Sequence, residues 1–593
     1  MRDPITVASP DGRICLKLAT PGSTLCYTVS VDEHQVLLPS TISIQLKGWD
    51  TNHNVTLGSS ERSSIHETYP FFGSRSTAIN HANRTTVKAS IDEEEFEVDI
   101  HVANDGVAIR LRIPARRGRH IRGDSSSWHV PGNTVVWYGA LLPDYESPQH
   151  ETTLENLPEG NLGFPLTAQL PSGHYVTLTE ADVQDYGDLA VARGSDGALY
   201  GSLYADPSGW TTDEEITQPW RVTIIARDLT GLVNTTLVQN LNPGPDSSLA
   251  SADWIQPGRS AWQWLASGDP VLEEQHQWVD WTSELGFEYY LVDEGWKDWP
   301  NSWENLKETV EYAKGKEVDV WIWVHSNLVT DVEERQTYFR KAVDAGVVGV
   351  KIDFPPPSNR TISNWYHETA RDAASHQLMV DFHGATKPSG LERTWPNVLT
   401  REGVRGHEWH VTRYNRVLDS DHDVILPFTR YIAGHGDYTP TVFEPKELVG
   451  NTWAHELAQA IIFTSPFLCF GGSPETYLSN PALDVLKAIR PVWDETLVLP
   501  GSRPGTLVAE ARRQGEEWLV GILNGAERNT VTLRLDDFLS HGRHWKSTLL
   551  REHQSRPDAF DRQDVIMSPE NKLDITMGPR SGFVAWFRPQ ERT

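Results

Sequence analysis

Asp353 closes one apolar run, VVGVKIDF, and Asp381 with His383 closes a second, LMVDFHG. Two carboxylates delivered to one cleft from different strands are the minimal equipment for breaking a glycosidic bond. Lys351 stands two residues before Asp353, so strand alternation puts both side chains on one face. An ammonium group there keeps a carboxylate ionised, as a nucleophile requires. The plainer reading of that pair is a strand-end ion pair or a helix cap. Glu402 and Glu408 lie in TREGVRGHEW, a glycine-punctuated loop of the kind that fixes carboxylates through backbone turns. Arg401 and Arg405 beside them leave surface ion pairs as the alternative. Glu180, in YVTLTEAD, is a third acidic candidate. Three carboxylates from separate segments suit the oxygen-seeking Ca2+ ion, although the spacing is not that of an EF-hand loop. Further cleft candidates are His325 in WVHSN, His383 in DFHG, and Asp293, Glu294 and Trp296 in LVDEGW. At the carboxyl ends of barrel strands such residues hydrogen-bond sugar hydroxyls; elsewhere such histidines are satisfied core residues. No HExxH spacing occurs, so a zinc protease is unsupported.

The elements that must position these groups are legible from their periods. From residue 246 to 504, short apolar runs alternate with helical stretches. The runs are SAWQWL, FEYYLVD, VDVWIWV, VVGVKID and QLMVDF; the helices are expected over 302–315, 331–345 and 361–376. Strand–helix alternation with buried strands means parallel pairing. Further strands near 396–400, 424–427 and 467–471 complete the count for a (β/α)8 TIM barrel. Residues 1–245 follow a two-residue period (RICLKLA, LCYTVSVD, FEVDIHV, VAIRLRI, RVTIIARD), which predicts an all-β sandwich. A Pro, Gly and Ser-rich linker, NPGPDSSLAS, ends that region. Residues 505–593 return to period two (TLVAEARR, EWLVGIL, GFVAWFR), a small C-terminal all-β domain.

The bulk composition narrows the partners. A chain of 593 residues with formal charge −29 would be repelled by nucleic acid. No stretch of about 18 apolar residues exists to span a membrane. The start, MRDPITVASPDG, has no apolar signal core, so the chain is expected in the cytoplasm, or outside the cell if a leader was removed. Cys15, Cys26 and Cys469 fit no metal spacing and no disulfide framework, and read as buried thiols. The 23 tryptophans are about twice an average load; most fill cores and a minority would stack on sugar rings. The acidity and the preference for Arg over Lys hint at a salt-rich cytoplasm.

Several long motifs resemble those of glycoside hydrolase family 97: TEAD, WIQPGRSAWQWL, LVDEGW, GVKIDF, DFHGATKPSGLERTWPNVLTREGVRGHEW and LPFTRYIAGHGDYTP. The resemblance spans nearly the whole chain. It implies an N-terminal β-supersandwich, a central barrel, a C-terminal β domain and a catalytic Ca2+. It also implies a branch. Inverting members carry glutamate bases at strand ends three and five, where this chain has Asn327 and Gly384. Retaining members, similar to α-galactosidases, have an aspartate nucleophile matching Asp353 and an acid/base glutamate matching Glu408. Glu180, Glu402 and Glu408 match the Ca2+ ligands. The expected function is therefore a calcium-dependent, retaining, exo-acting α-galactosidase on an oligosaccharide or glycoside substrate. The alternatives are an α-glucosidase, a β-L-arabinopyranosidase and a catalytically silent carbohydrate-binding protein. After KIDF the chain runs PPPSNRT, where retaining relatives carry an acidic loop, a departure that bears on subsite specificity.

Overall fold

The computed structural model describes residues 3–590. The two-residue period of the N-terminal region becomes long antiparallel strands, among them Ile14–Ala19, Glu94–Ala103, Gly106–Ile113 and Trp220–Ala226. They belong to a thirteen-stranded and two four-stranded sheets. Alternate residues such as Leu16, Leu18, Val98, Ile100, Ile109 and Leu111 face one shared apolar core.

Seven parallel strands form the central sheet: β1 (Gly258–Trp262), β2 (Tyr289–Val292), β3 (Asp319–His325), β4 (Gly349–Asp353), β5 (Met379–Phe382), β6 (Val398–Arg401) and β7 (Phe467–Phe470). They run in the order β6-β5-β4-β3-β2-β1-β7. This is the (β/α)8 barrel plan, opened between β6 and β7. The three expected helices form at Ser302–Lys314, Val332–Ala345 and Arg360–Ser375. Two are fixed by local caps: Asp331 accepts the amides of Glu333 and Glu334, and Asn359 accepts that of Ile362.

The strand expected near 424–427 does not form. Those residues lie in helical turns, with a 3-10 turn at Leu426–Phe428 that carries Pro427 in its first positions. Val424, Ile425, Leu426 and Phe428 are all buried, and an apolar run buried on every side has no period to separate strand from helix. Between β6 and β7 the chain runs instead through residues 402–466, made of turns and mostly short helices that end in the helix Trp453–Ile462. That segment carries Glu402, Glu408 and Asp437.

The C-terminal sheet has six strands, beginning at Glu495–Val498 and ending at Gly582–Pro589, with a two-stranded ribbon beside it. Helix Trp453–Ile462 joins it to the barrel. A Cβ at Gly582 would stand 2.8 Å from the His455 Cα, so glycine there is what lets helix and sheet meet.

Candidate active site

Register builds the site in two layers. Trp323, Lys351 and Asp381 pair side by side on β3, β4 and β5, and His325 pairs with Asp353 one step nearer the carboxyl ends. Asp353 is 4 % exposed. Its Oδ2 accepts the Trp323 indole N–H at 2.9 Å and its Oδ1 accepts the Phe354 amide at 2.8 Å. Burial pushes this carboxyl up, but His383, Lys351 and the Trp323 hydrogen bond outweigh it and hold the group at about 2.

His383, just beyond β5, stands between the carboxylates. Its Nδ1 is 2.9 Å from Glu402 Oε2 and 3.7 Å from Asp353 Oδ2. Its Nε2 is 3.4 Å from Glu408 Oε2 and 3.7 Å from Asp437 Oδ2. Burial opposes a charge on the ring, yet Glu402, Glu408 and Asp353 raise its pKa well above the ordinary value. Lys351 Nζ lies 3.1 Å from Asp293 Oδ2, 3.9 Å from Glu408 Oε2 and 4.4 Å from the centre of the Trp262 ring. Glu402 also accepts the Gly384 amide at 2.6 Å. Burial pushes Glu408 up to about 7, with Lys351 and His383 pulling against it and Glu402 and Asp353 pushing with it. One carboxyl is thus kept ionised and its neighbour is poised to hold a proton near neutrality. Environments that separate two carboxyls in this way divide them into base or nucleophile and acid.

Asp353, Lys351, His383, Asp293, Glu402 and Glu408 are therefore brought together. Glu294 is exposed beside them, its amide donating to Asp293 Oδ1 at 2.7 Å. His325 is half-buried at the rim, its Nδ1 accepting the Asn327 amide. Trp296, expected at the substrate, is instead wholly enclosed. Its ring packs against Trp303 at 5.0 Å and its N–H is spent on the Trp323 carbonyl, so no face is free for a sugar.

Glu180 also lies apart. Lys387 Nζ and the Leu189 amide donate to its Oε1 at 2.7 and 2.9 Å, and Arg221 donates to its Oε2 at 2.6 Å. Among the described residues, two groups have ligand atoms mutually within 4.8 Å: His383, Glu402, Glu408 and Asp381, His383, Asp437. Glu180 is in neither.

Three residues that join the cluster were not among the expected site residues. Trp323 faces inward by simple strand alternation, a signal that was available. Asp437 follows a loop without a period. Glu146 comes from the N-terminal region, between strands Val135–Ala140 and Gln149–Thr153. Its carboxyl is pushed up to about 10 by burial, then by Glu402, Asp144 and Glu408. Asp381 is raised well above its ordinary value and Asp437 to about 6, burial being the first cause for each. The four oxygens of that pair, with His383 Nε2 and Glu408 Oε2, are buried and lack hydrogen-bond partners. Such orphaned groups are rare in a resting core and mark a place prepared for a ligand.

A parallel barrel that gathers a low-pKa aspartate and a high-pKa glutamate in one cluster carries the equipment of a glycoside hydrolase. Three family models divide the chain: glycosyl-hydrolase 97 N-terminal over residues 7–243, glycoside hydrolase 97 over 259–404, and glycosyl-hydrolase 97 C-terminal, oligomerisation, over 492–588. The chain belongs to glycoside hydrolase family 97. It is 30% identical to a probable retaining α-galactosidase of Streptomyces bingchenggensis, covering 98% of this chain and 91% of that protein. It is 27% identical to a retaining α-galactosidase of Bacteroides thetaiotaomicron, covering 98% and 96%. Among solved structures, a family 97 enzyme from a Pseudoalteromonas species in complex with acarbose matches with a TM-score of 0.90 at 20% identity, over 99% of this chain and all of that one. A β-arabinopyranosidase matches with a TM-score of 0.88 at 22% identity, over 98% of this chain and all of that one. No helix among the described residues is long and apolar enough to cross a membrane.

Proposed function

We propose that this glycoside hydrolase is a retaining, exo-acting α-galactosidase that cleaves terminal α-galactosides by double displacement. The observation that carries the reading is the pair Asp353 and Glu408, set against opposite nitrogens of one imidazole and driven to opposite protonation states. Asp353, aimed by the Trp323 and Phe354 N–H groups, attacks the anomeric carbon as Glu408 gives its proton to the leaving oxygen. In the second step Glu408 takes a proton from water, which displaces Asp353. Lys351 and Asp293 lie deep enough to receive the sugar's hydroxyls.

Gly384 supports retention over inversion. It has φ +53°, and a Cβ there would stand 2.9 Å from Asp353 Oδ1 and 3.2 Å from the Phe354 ring. A glutamate at this position would crowd the Asp353 carboxylate and the Phe354 ring. The sugar assignment rests on the two relatives named α-galactosidases.

A divalent cation fits part of the expected ligand set. Glu402 and Glu408 offer hard oxygens, Glu408 Oε2 is an orphan, and carboxylates around His383 outnumber the two cations there. Glu180 does not fit while Lys387 and Arg221 hold it. Bound Ca2+ would supply a fixed positive charge near the leaving group and the sugar hydroxyls. Removal with EDTA is expected to abolish turnover and to lower the melting temperature, with Ca2+ restoring both; full activity after exhaustive chelation removes the metal. The reaction itself is checked by proton NMR on p-nitrophenyl α-galactoside. α-Galactose is expected as the first product, and β-galactose appearing first would end the retaining assignment.

A further inference from the structure

Phe354, the residue after the nucleophile, departs from two ordinary rules. Its side chain is 54% exposed, and its backbone has φ +58°, a region that bulky residues seldom enter. The backbone has a reason to be there. The turn brings the Phe354 N–H onto Asp353 Oδ1, and its carbonyl is held by the Ser326 hydroxyl at 2.7 Å. Neither contact needs an aromatic side chain, and glycine would take the same φ at lower cost. An exposed ring kept at a strained position therefore answers to something outside the chain.

Its location says what. The ring borders Gly384 on the side that Asp353 Oδ1 also borders, so it flanks the attacking carboxylate. On its other side the His325 ring lies 5.6 Å away, tilted by 46°. The two rings stand at the ends of β3 and β4, and Phe354 is followed by the stiff run Pro355, Pro356, Pro357. Lys351, Asp293, Asp381 and Asp437 are buried, and on the proposed reading they hold the sugar being cleaved.

We propose that Phe354, with His325 beside it, is the platform for the leaving group: its face stacks on the apolar face of the sugar or aryl ring beyond the scissile bond. This rests on Asp353 being the nucleophile of an α-galactosidase. Stacking of this kind contributes about 1 kcal/mol beyond area burial, so its loss costs roughly fivefold in kcat/KM.

The test compares Phe354→Ala and Phe354→Trp with the unaltered enzyme on an α-galactosyl oligosaccharide and on α-galactosyl fluoride, whose leaving group has no ring to stack. Phe354→Ala is expected to lose about fivefold in kcat/KM on the oligosaccharide and less than about twofold on the fluoride. Phe354→Trp is expected to restore the oligosaccharide rate. An equal loss on both substrates would mean that Phe354 only holds Asp353, and equal activity on both would mean that it does nothing; either overturns the platform. If the unaltered enzyme leaves the fluoride intact, the galactosidase reading fails first and the platform falls with it.

Discussion

Two clusters of buried charge meet in this protein and are assembled from the same side-chain types. At the seam between the N-terminal sheets and the barrel, Lys387 enters between Glu180 and Asp188, and Arg221 bridges Glu180 to Asp124. Asp188 also accepts the hydroxyls of Tyr145 and Tyr204, and Asp124 accepts those of Tyr186 and the amide of Gln218. Every carboxylate there has a donor. In the barrel mouth, Asp381, Asp437 and Glu408 have oxygens with none, and carboxylates outnumber cations. The first cluster is satisfied without a ligand and holds two domains together. The second stores repulsion that a substrate or cation relieves, which is how functional sites trade stability for reactivity. The contrast also explains Glu180: its oxygens are committed to the seam.

The comparison breaks if the mouth proves structural. Asp353→Ala should lower kcat by about 10⁴-fold or more while leaving the melting temperature no lower than that of the parent. Azide should recover part of the turnover and yield the β-galactosyl azide. A variant that melts early, with no azide product, would make Asp353 a strut.

The reverse behaviour is expected at the seam. Lys387→Met leaves Glu180 and Asp188 buried with a lost cation, a change that costs about 3–5 kcal/mol of stability. Urea unfolding should show that loss, with kcat per folded molecule falling far less. A silent effect on unfolding and a large one on kcat would move Lys387 into the catalytic machinery.

The acid/base assignment predicts a pH limb. Glu408 must be protonated for the first step; burial raises its pKa to about 7 in the metal-free site, and a Ca2+ held on its other oxygen would pull that value down. kcat/KM should therefore fall about tenfold per pH unit once Glu408 ionises, at or below that point. Asp353, held at about 2, stays ionised throughout and adds no limb near neutrality. Glu408→Gln should abolish the limb along with most of the activity, and a substrate with an activated leaving group should keep more of it. A limb that survives the substitution belongs to another group.

Much of this site was legible because strands and helices advertise themselves locally. Lys351 and Asp353 share a face by alternation, and Asp331 and Asn359 announce helices by capping them. What stayed hidden depends on partners distant in the chain. Nothing in TEAD says that Lys387 and Arg221 will occupy Glu180. Nothing in LVDEGW says that Trp303 and the Trp323 carbonyl will enclose Trp296. Asp437 and Glu146 arrive from segments without a period, where position is set by packing alone. The missing strand at 424–427 has the same cause, since a run buried all round looks alike in either conformation.

The smallest expected effect discriminates best between a resting core and a prepared site. Burial, with the Glu402 charge, raises Asp437 to about 6 against a hydrogen bond with Asp381 that lowers it, and burial with the Asp437 charge raises Asp381 well above the ordinary aspartate value of about 3.9. A carboxyl whose pKa is higher in the folded state binds protons there that the unfolded chain has released. Folding stability should then fall as pH rises through the window from about 4 to about 6. Asp437→Asn removes one of the two charges at unchanged shape. Measured with EDTA present so that no cation masks the repulsion, it should be more stable than the parent by about 1 kcal/mol at pH 7 and equal to it at pH 4. A variant less stable at both pH values would mean that the pair is satisfied in solution, and the distinction between the two clusters would be lost.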